Sequence, residues 1–185
     1  MEYHQTVTLK NGAACTVRSG TAADGAAALA MFLRSHGETD FLTSYPDENR
    51  MDDAQESEFL VRTAENPRAA ELLAVVDGAL VGLAGVTPVG TRDKLHHRAT
   101  FGISVLQAYW GLGIGRALTE ACIECARRAG YTQLELEVVA DNAAAVALYE
   151  RVGFQVYGRN PKGFRPRTGG WQELILMRRA LDGEA

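Results

Sequence analysis

A glycine-rich segment at residues 105–116 carries the clearest chemical signal of the sequence. Gly111, Gly113 and Gly115 alternate with apolar residues between a predicted strand and a predicted amphipathic helix. Glycine lets the backbone approach a ligand closely and turn its N–H groups inward. The start of a helix adds a partial positive charge. The segment therefore predicts an anion site that suits a pyrophosphate.

Three interpretations of this segment compete. A dinucleotide loop requires G-x-G-x-x-G/A, but Arg116 or Leu118 stands at the third position, depending on the glycine taken as the first. Glu135 nevertheless lies at the distance expected for a ribose-binding acid, so a nucleotide-dependent oxidoreductase is disfavoured rather than excluded. A Gly-Lys-Ser/Thr triplet is absent, which argues against a nucleotide triphosphate loop. A glycine turn without a ligand is the third interpretation.

A second polar segment follows one strand later. Asn142, Val146 and Tyr149 are spaced i, i+4, i+7 and share one face of a predicted helix. An amide and a phenol on one face can serve an extended polar ligand. The alternative is that Asn142 only caps the helix and Tyr149 only packs.

The elements that position these segments predict one mixed α/β domain over residues 1–185. Alternating patterns, turn dipeptides and apolar periodicity carry the assignment. The expected elements are a strand or hairpin in 6–18, a helix after Thr21, a loop at 36–53, a helix at 53–64, strands at 71–76, 80–86 and 99–106, a helix at 113–129, a strand at 134–139, a helix at 142–152 and strands at 154–157 and 171–177.

Composition excludes several functional classes. The net charge is −4 with no basic stripe, so we expect no nucleic-acid partner. No apolar run approaches the about 20 residues of a membrane span, and residues 1–10 lack a leader pattern. We therefore expect a cytoplasmic protein without a membrane partner. Mild acidity is compatible with a cationic substrate.

Three further groups of residues have less specific meanings. Cys122 and Cys125 form C-x-x-C, but a second pair is absent and both lie on an apolar helix face, so we expect core packing and no metal. The histidines His96 and His97 fall in a polar connector and are expected at the surface. A basic cluster either meets an anion or is a solvated loop; it comprises Arg159, Lys162, Arg165 and Arg167.

The two polar segments together resemble the GNAT superfamily of N-acetyltransferases. That family's pyrophosphate loop reads Q/R-x-x-G-x-G/A, and residues 110–115 match it except at Trp110. Its next unit is a strand, an Asn and then Ala-x-x-Leu-Tyr-x-x-x-Gly-Phe, which residues 142–154 match. The resemblance covers about residues 70–178 and, more loosely, the whole chain.

The resemblance implies a central mixed, mostly antiparallel sheet with a splayed parallel strand pair, flanked by helices. Acetyl-CoA would lie between strands 101–106 and 134–139, without a metal. The implied cofactor-binding residues are the backbone of Ile103 and Val105, the loop residues Trp110, Gly111, Leu112, Gly113, Ile114, Gly115 and Arg116, and the side chains of Asn142 and Tyr149. The departure at Trp110 removes one side-chain contact to a phosphate, and Leu112 offers no charge.

The implied activity is acetyl transfer from acetyl-CoA to a primary amine of a small molecule or protein by direct attack. Tyr149 would be the general acid, since a tyrosine is protonated at pH 7. Glu48, in the loop expected to border the acceptor site, and Glu137, on the strand beside the thioester, are the two candidate bases. A non-catalytic CoA-binding regulatory module is the alternative, and the resemblance also allows a homodimer.

Overall fold

The computed structural model describes residues 1–182 as eight strands and four α-helices. The strands are β1 (His4–Thr8), β2 (Ala14–Ser19), β3 (Ala70–Val76), β4 (Ala79–Pro88), β5 (Arg98–Val105), β6 (Gln133–Val139), β7 (Gln155–Phe164) and β8 (Gln172–Ala180). The helices are α1 (Gly25–Glu38), α2 (Asp53–Glu65), α3 (Ile114–Arg128) and α4 (Ala143–Arg151).

All strands belong to one sheet in the order β1-β2-β3-β4-β5-β6-β8-β7. Every neighbouring pair is antiparallel except β5 and β6, which run parallel. The parallel pair is joined at only three positions, from Arg98 opposite Gln133 to Thr100 opposite Glu135. Beyond Thr100 the two strands separate and leave a gap, so the predicted mixed sheet with a splayed parallel pair is confirmed.

Helices cover both faces of the sheet. Side chains alternate along β3, so Leu72 and Ala74 pack in the core under α3 and α4, whereas Leu73 packs in a smaller core under α1 and α2. On α3, Ile114 and Leu118 begin a buried stripe that continues through both helix cysteines. This periodicity holds α3 against the sheet and directs its N-terminus toward the gap.

Local sequence explains the turns and the helix starts. Asp77 and Gly78 have φ values of 49° and 78°, as a two-residue hairpin turn requires, and they join β3 to β4. Asp52 caps α2 by accepting a hydrogen bond from the Gln55 N–H at 2.9 Å, and the Gln55 side chain returns one to the Asp52 N–H. These elements were predicted within a few residues of their observed bounds.

The last hairpin is longer than predicted. β7 reaches Phe164 rather than residue 157, and β8 reaches Ala180 rather than residue 177. β7 is one of the two edge strands, and most of its residues are exposed. An edge strand has little apolar alternation, so its sequence did not indicate its length.

The helix cysteines and the adjacent histidines lie where the sequence predicted them. Cys122 and Cys125 are buried as free thiols, and burial raises the pKa of Cys125 to about 11, which confirms their role in packing. His96 and His97 are exposed as expected. No helix within residues 1–182 is long and apolar enough to cross a membrane.

Candidate active site

The glycine loop presents a row of backbone N–H groups at the start of α3. Gly111 and Gly113 have φ values of 77° and 104°, and a Cβ at either would meet nothing within 4 Å. The amides of residues 111–116 donate to no acceptor within residues 1–182. Unpaired amides at a helix N-terminus attract an anion, so the loop fits a pyrophosphate. The Leu112 carbonyl accepts from the Lys10 N–H at 3.0 Å and ties the loop to the first hairpin.

The gap between β5 and β6 exposes peptide groups along both strands. The Leu106 N–H donates to the Val81 carbonyl on the β4 side at 3.0 Å. Because peptide groups alternate in direction along a strand, those of Ile103 and Val105 face the gap. The sequence assigned these two residues to the pantetheine arm, and their orientation is compatible with that assignment.

Trp110 closes part of this edge. Its indole Nε1 donates to the Val105 carbonyl at 2.7 Å, and its ring is 46% exposed. The Val105 N–H, the Ile103 N–H and the Ile103 carbonyl still face the gap without a partner within residues 1–182. The residue that departs from the family's loop pattern therefore has a structural role that its type alone did not indicate.

Asn142 stands at the N-terminus of α4. Its Oδ1 accepts a hydrogen bond from the Ala145 N–H at 3.2 Å, so it caps the helix. Its amide N–H₂ donates to no group within residues 1–182. Capping uses only the oxygen, so the side chain can also serve as a ligand donor.

Tyr149 is buried beside the gap, on the face of the sheet covered by α3 and α4. Its ring lies edge-on to Phe101 of β5 at 6.0 Å and to Phe154 at 5.9 Å, and its side chain is 6% exposed. Its hydroxyl forms no hydrogen bond within the described residues, and burial raises the pKa of Tyr149 well above its ordinary value. The phenol is therefore protonated at neutral pH and able to donate.

The acidic residues of β6 lie on the opposite face. Leu134, Leu136 and Val138 pack under α3 and α4, so the alternating Glu135 and Glu137 point toward α1 and α2. Glu137 is exposed and lies where β6 has left β5.

Glu135 is engaged where the two strands still pair. The Glu135 carboxylate accepts from Arg98 Nη2 at 2.8 Å and from the Gln133 amide at 2.8 Å. The Arg98 hydrogen bond is the main cause that lowers the pKa of Glu135. Of the two β6 acids, only Glu137 is left for a proton transfer at the gap.

Glu48 has a different environment. Its Oε2 accepts from the Tyr45 N–H at 2.7 Å and closes a single turn at Pro46–Glu48. The Tyr45 hydroxyl accepts from the Arg167 N–H at 2.9 Å, and the Arg167 guanidinium lies 2.9 Å from Asp47. The loop at 39–52 is thus tied to the segment between β7 and β8, with Glu48 stabilising a turn within it.

The remaining members of the basic cluster also have partners on the chain. Arg159 Nη1 lies 3.3 Å from the Glu173 carboxylate. Lys162 and Arg165 lie over the Trp171 ring at 5.5 Å and 5.2 Å. Together with the Arg167 pair, these contacts favour the structural interpretation of the cluster over an anion site.

Two acidic residues were missed by the sequence interpretation. Glu71 on β3 is partly buried, and Glu56 on α2 is 9% exposed. Neither carboxylate forms an ion pair or a side-chain hydrogen bond within residues 1–182. Burial, and next the nearby Glu56 charge, raise the pKa of Glu71 to about 8. Nothing in the local sequence distinguishes either residue from an ordinary surface acid.

Comparison with known proteins settles the family. A model described as the acetyltransferase (GNAT) family matches residues 29–154. The chain belongs to the GNAT acetyltransferase family. It is 33% identical over 119 residues to the L-amino acid N-acetyltransferase AaaT of Escherichia coli K12, an alignment that covers 64% of this chain and 72% of that protein.

Two further comparisons show the breadth of this GNAT family. The ribosomal protein bS18-alanine N-acetyltransferase of E. coli K12 is 39% identical over 87 residues, which cover 47% of this chain and 58% of that protein. The structure of yncA from Salmonella typhimurium, solved with its cofactor acetyl-CoA, has a TM-score of 0.81 at 23% identity, covering 92% of this chain and 96% of that one. The fold and the predicted N-acetyltransferase class are therefore confirmed.

Proposed function

We propose that this GNAT protein transfers the acetyl group of acetyl-CoA to a primary amine of a small molecule or protein. The observation that carries the proposal is the convergence of three features at one gap. These are the unpaired amides of residues 111–116, the peptide groups of Ile103 and Val105, and the buried phenol of Tyr149. A pyrophosphate, an amide-bearing arm and a sulfur leaving group are the chemical parts that these groups suit.

The residues of the gap fit acetyl-CoA, which supplies the acetyl group as an activated thioester. The amides of residues 111–116 would hold the pyrophosphate; the expected contribution of the Trp110 amide is wrong, because its N–H donates to the Gln107 carbonyl at 3.0 Å. The peptide groups of Ile103 and the N–H of Val105 would pair with the pantetheine amides, since the Val105 carbonyl accepts from the Trp110 indole. The free amide of Asn142 would donate to the same arm. The yncA structure, which contains acetyl-CoA in the same fold, supports this assignment.

Transfer requires one proton to leave the amine and one to reach the sulfur. The amine nitrogen forms a bond to the acetyl carbon, the carbon–sulfur bond breaks, and its electron pair stays on sulfur. Tyr149 gives its proton to that sulfur, and a backbone N–H near Val105 stabilises the charge that develops on the acetyl oxygen. The proton lost by the amine passes to a carboxylate on the acceptor side.

Glu137 is our preferred base. It lies on the face opposite Tyr149, in the part of β6 that borders the gap, and no ion pair occupies it within residues 1–182. The Glu48 carboxylate already accepts the Tyr45 N–H, so its use as a base would cost that turn its cap. An acid on one face and a base on the other suit a transfer that runs through the gap.

The relatives support both kinds of acceptor, since one is named for free L-amino acids and the other for a ribosomal protein's alanine. Action in the cytoplasm and formation of a homodimer stay predictions of the sequence.

Calorimetric titration with acetyl-CoA, with NADH as the control ligand, tests the proposal first. We expect binding of acetyl-CoA alone, followed by thiol release when amines are added. Tyr149→Phe should lower the turnover number by about 100-fold or more while acetyl-CoA binding persists. Tyr3→Phe, which alters another buried tyrosine outside the gap, is the matched control and should leave turnover unchanged.

Each other outcome has a definite meaning. Tight acetyl-CoA binding without transfer to any amine would favour the regulatory module. Binding of NADH instead of acetyl-CoA would revive the oxidoreductase interpretation.

A further inference from the structure

Three residues form a straight row across the face of the sheet that α1 and α2 cover. Glu71 on β3 lies directly opposite Gly85 on β4, and Gly85 lies directly opposite Gly102 on β5. Thr100 on β5 pairs with Glu135 on β6. Two residues further along these parallel strands, Gly102 and Glu137 stand at matching positions on opposite sides of the gap, so the row points to Glu137. We call the floor made by Gly85 and Gly102 the glycine trough.

The trough is open because both floor residues lack a side chain. A Cβ at Gly102 would meet nothing within 4 Å, whereas a Cβ at Gly85 would lie 2.6 Å from Glu71 Oε2. The Glu71 carboxylate therefore extends over Gly85, and the space beyond it leads over Gly102 to the gap.

Polar and apolar rows border the trough on its two sides. Along the strands, Thr87 and Thr100 form the next row, with their hydroxyl oxygens 2.9 Å apart. On the other side, the Ser104 hydroxyl contacts Met31 of α1. A slender molecule can lie along the trough between these rows, with one end at the gap and the other at Glu71.

The far end of the trough holds two carboxyl groups, and no cationic side chain within residues 1–182 pairs with either. Glu56, more than nine-tenths buried on α2, approaches Glu71 closely enough for its charge to act on that carboxyl. None of the ion pairs formed within residues 1–182 includes Glu56 or Glu71. Carboxylates removed from water are costly without a cationic partner, so a bound cation at this end would stabilise both.

The length of the trough sets the size of its occupant. Neighbouring strands lie about 4.8 Å apart, so the distance from the Glu71 carboxylate to the gap beyond Gly102 is roughly 7–10 Å. Bonds of about 1.5 Å in a zigzag chain cover such a distance with about five methylene groups.

We propose that the acceptor carries a second positively charged group, about five methylene groups from the amine that is acetylated, and that Glu71 with Glu56 binds this second group. The inference rests on the proposed acetyl transfer and names the class of its acceptor: linear diamines and lysine-like chains. A neutral or acidic far end would leave the two carboxyl groups unpaired.

Comparison of 1,5-diaminopentane with n-pentylamine tests the inference, because the two differ only in the second charge. With acetyl-CoA, we expect kcat/KM for the diamine to exceed that for the monoamine by about 10- to 100-fold, the range of a hydrogen bond to a charged group. Glu71→Gln should reduce this preference to about twofold, through a lower kcat/KM for the diamine. Glu58→Gln, which removes an exposed carboxylate of the same helix as Glu56, should keep the preference.

Two further measurements separate this inference from the proposed function. Calorimetric titration of the CoA complex with 1,5-diaminopentane needs no turnover, and Glu71→Gln should weaken that binding to the same extent. Gly102→Ala, which the open space tolerates, should raise KM for the diamine without altering acetyl-CoA binding.

The outcomes divide as follows. Transfer to both amines at equal rates, or a preference that survives Glu71→Gln, would overturn the inference and leave the acetyltransferase intact. No transfer together with no acetyl-CoA binding would overturn the proposed function, while titration of the free protein and of its Glu71→Gln variant with 1,5-diaminopentane would still decide whether Glu71 binds a cation.

Discussion

The Arg98 guanidinium reaches from β5 to the Glu135 carboxylate of β6, with Nη2 2.8 Å from Oε2, at the closed end of the gap. Glu135 belongs to the last row in which the two strands pair. The Glu135 side chain is 9% exposed, so water screens this pair less than the ion pairs on the helix surfaces. The pair therefore helps to fix the point from which the strands diverge.

Replacing Glu135 with Gln should lower the free energy of unfolding by about 1–3 kcal/mol at pH 6, because it leaves the Arg98 guanidinium without its partner. The pKa of Glu135 is lowered in the folded state, so its contribution is present above the unfolded-state pKa of about 4.3 and is lost as the pH falls through the lower folded value. Denaturant titrations at pH 6 and pH 3 should show the difference between wild type and variant shrinking at the lower pH.

The control for that measurement is Glu124→Gln, which removes a half-exposed pair with Arg128 one turn away on α3. We expect a loss below about 0.5 kcal/mol. A pH-independent difference for Glu135→Gln would contradict the role assigned to its charge.

Tyr149 should remain a proton donor far into the alkaline range. Burial raises the pKa of this phenol above its ordinary value of about 10, so it keeps its proton at every pH below that value. We expect no fall in kcat attributable to Tyr149 between pH 7 and about pH 10. A descending limb below pH 10 that disappears in Tyr149→Phe would show a normal or lowered pKa and contradict the burial argument.

Alanine substitutions at two glycines with matching conformations distinguish backbone strain from a loss of cofactor binding. Gly111 and Gly78 have φ values of 77° and 78°, and both face open space. Each substitution by Ala should destabilise the fold by about 1 kcal/mol, because a side chain is disfavoured at positive φ. Only Gly111→Ala should also weaken acetyl-CoA binding in calorimetry, since Gly78 lies in the hairpin turn between β3 and β4. Equal affinities for acetyl-CoA in the two variants would show that the loop does not bind the cofactor.

Substitution of Trp110 by Arg restores a residue type usual in the family's loop. We expect acetyl-CoA to bind about tenfold more tightly, through a charge-assisted contact to a phosphate. The cost is the hydrogen bond from the indole to the Val105 carbonyl. Weaker acetyl-CoA binding in Trp110→Arg would mean that loss of the indole hydrogen bond costs more affinity than the new phosphate contact supplies.

The sequence predicted the relative placement of those candidate residues whose relation is local. The glycines of the loop and the pair Asn142 and Tyr149 are separated by a few positions on one turn or helix, so their spacing already defines their geometry. The strand–loop–helix order around them was predictable for the same reason.

The glycine trough was not predictable in this way. Glu71, Gly85 and Gly102 are far apart in the chain, and only the register of two strand pairs aligns them. A shift of one residue in either pair would turn Glu71 to the other face relative to its neighbours. For Glu48 the sequence predicted the loop in which the residue lies, but it did not predict that the Glu48 carboxylate accepts a hydrogen bond from the Tyr45 N–H.

The gap also bears on where this sheet exposes its unpaired strand edges. Unpaired strand edges are templates on which another chain can add a strand and start an aggregate. Here the unpaired edges of β5 and β6 belong to neighbouring strands of one sheet, with helices over both faces and the closed seam at Thr100 and Glu135. A strand that paired with them would have to lie between two edges that the seam joins at one end. The sheet thereby presents a row of unsatisfied backbone groups from its interior rather than from its outer edges.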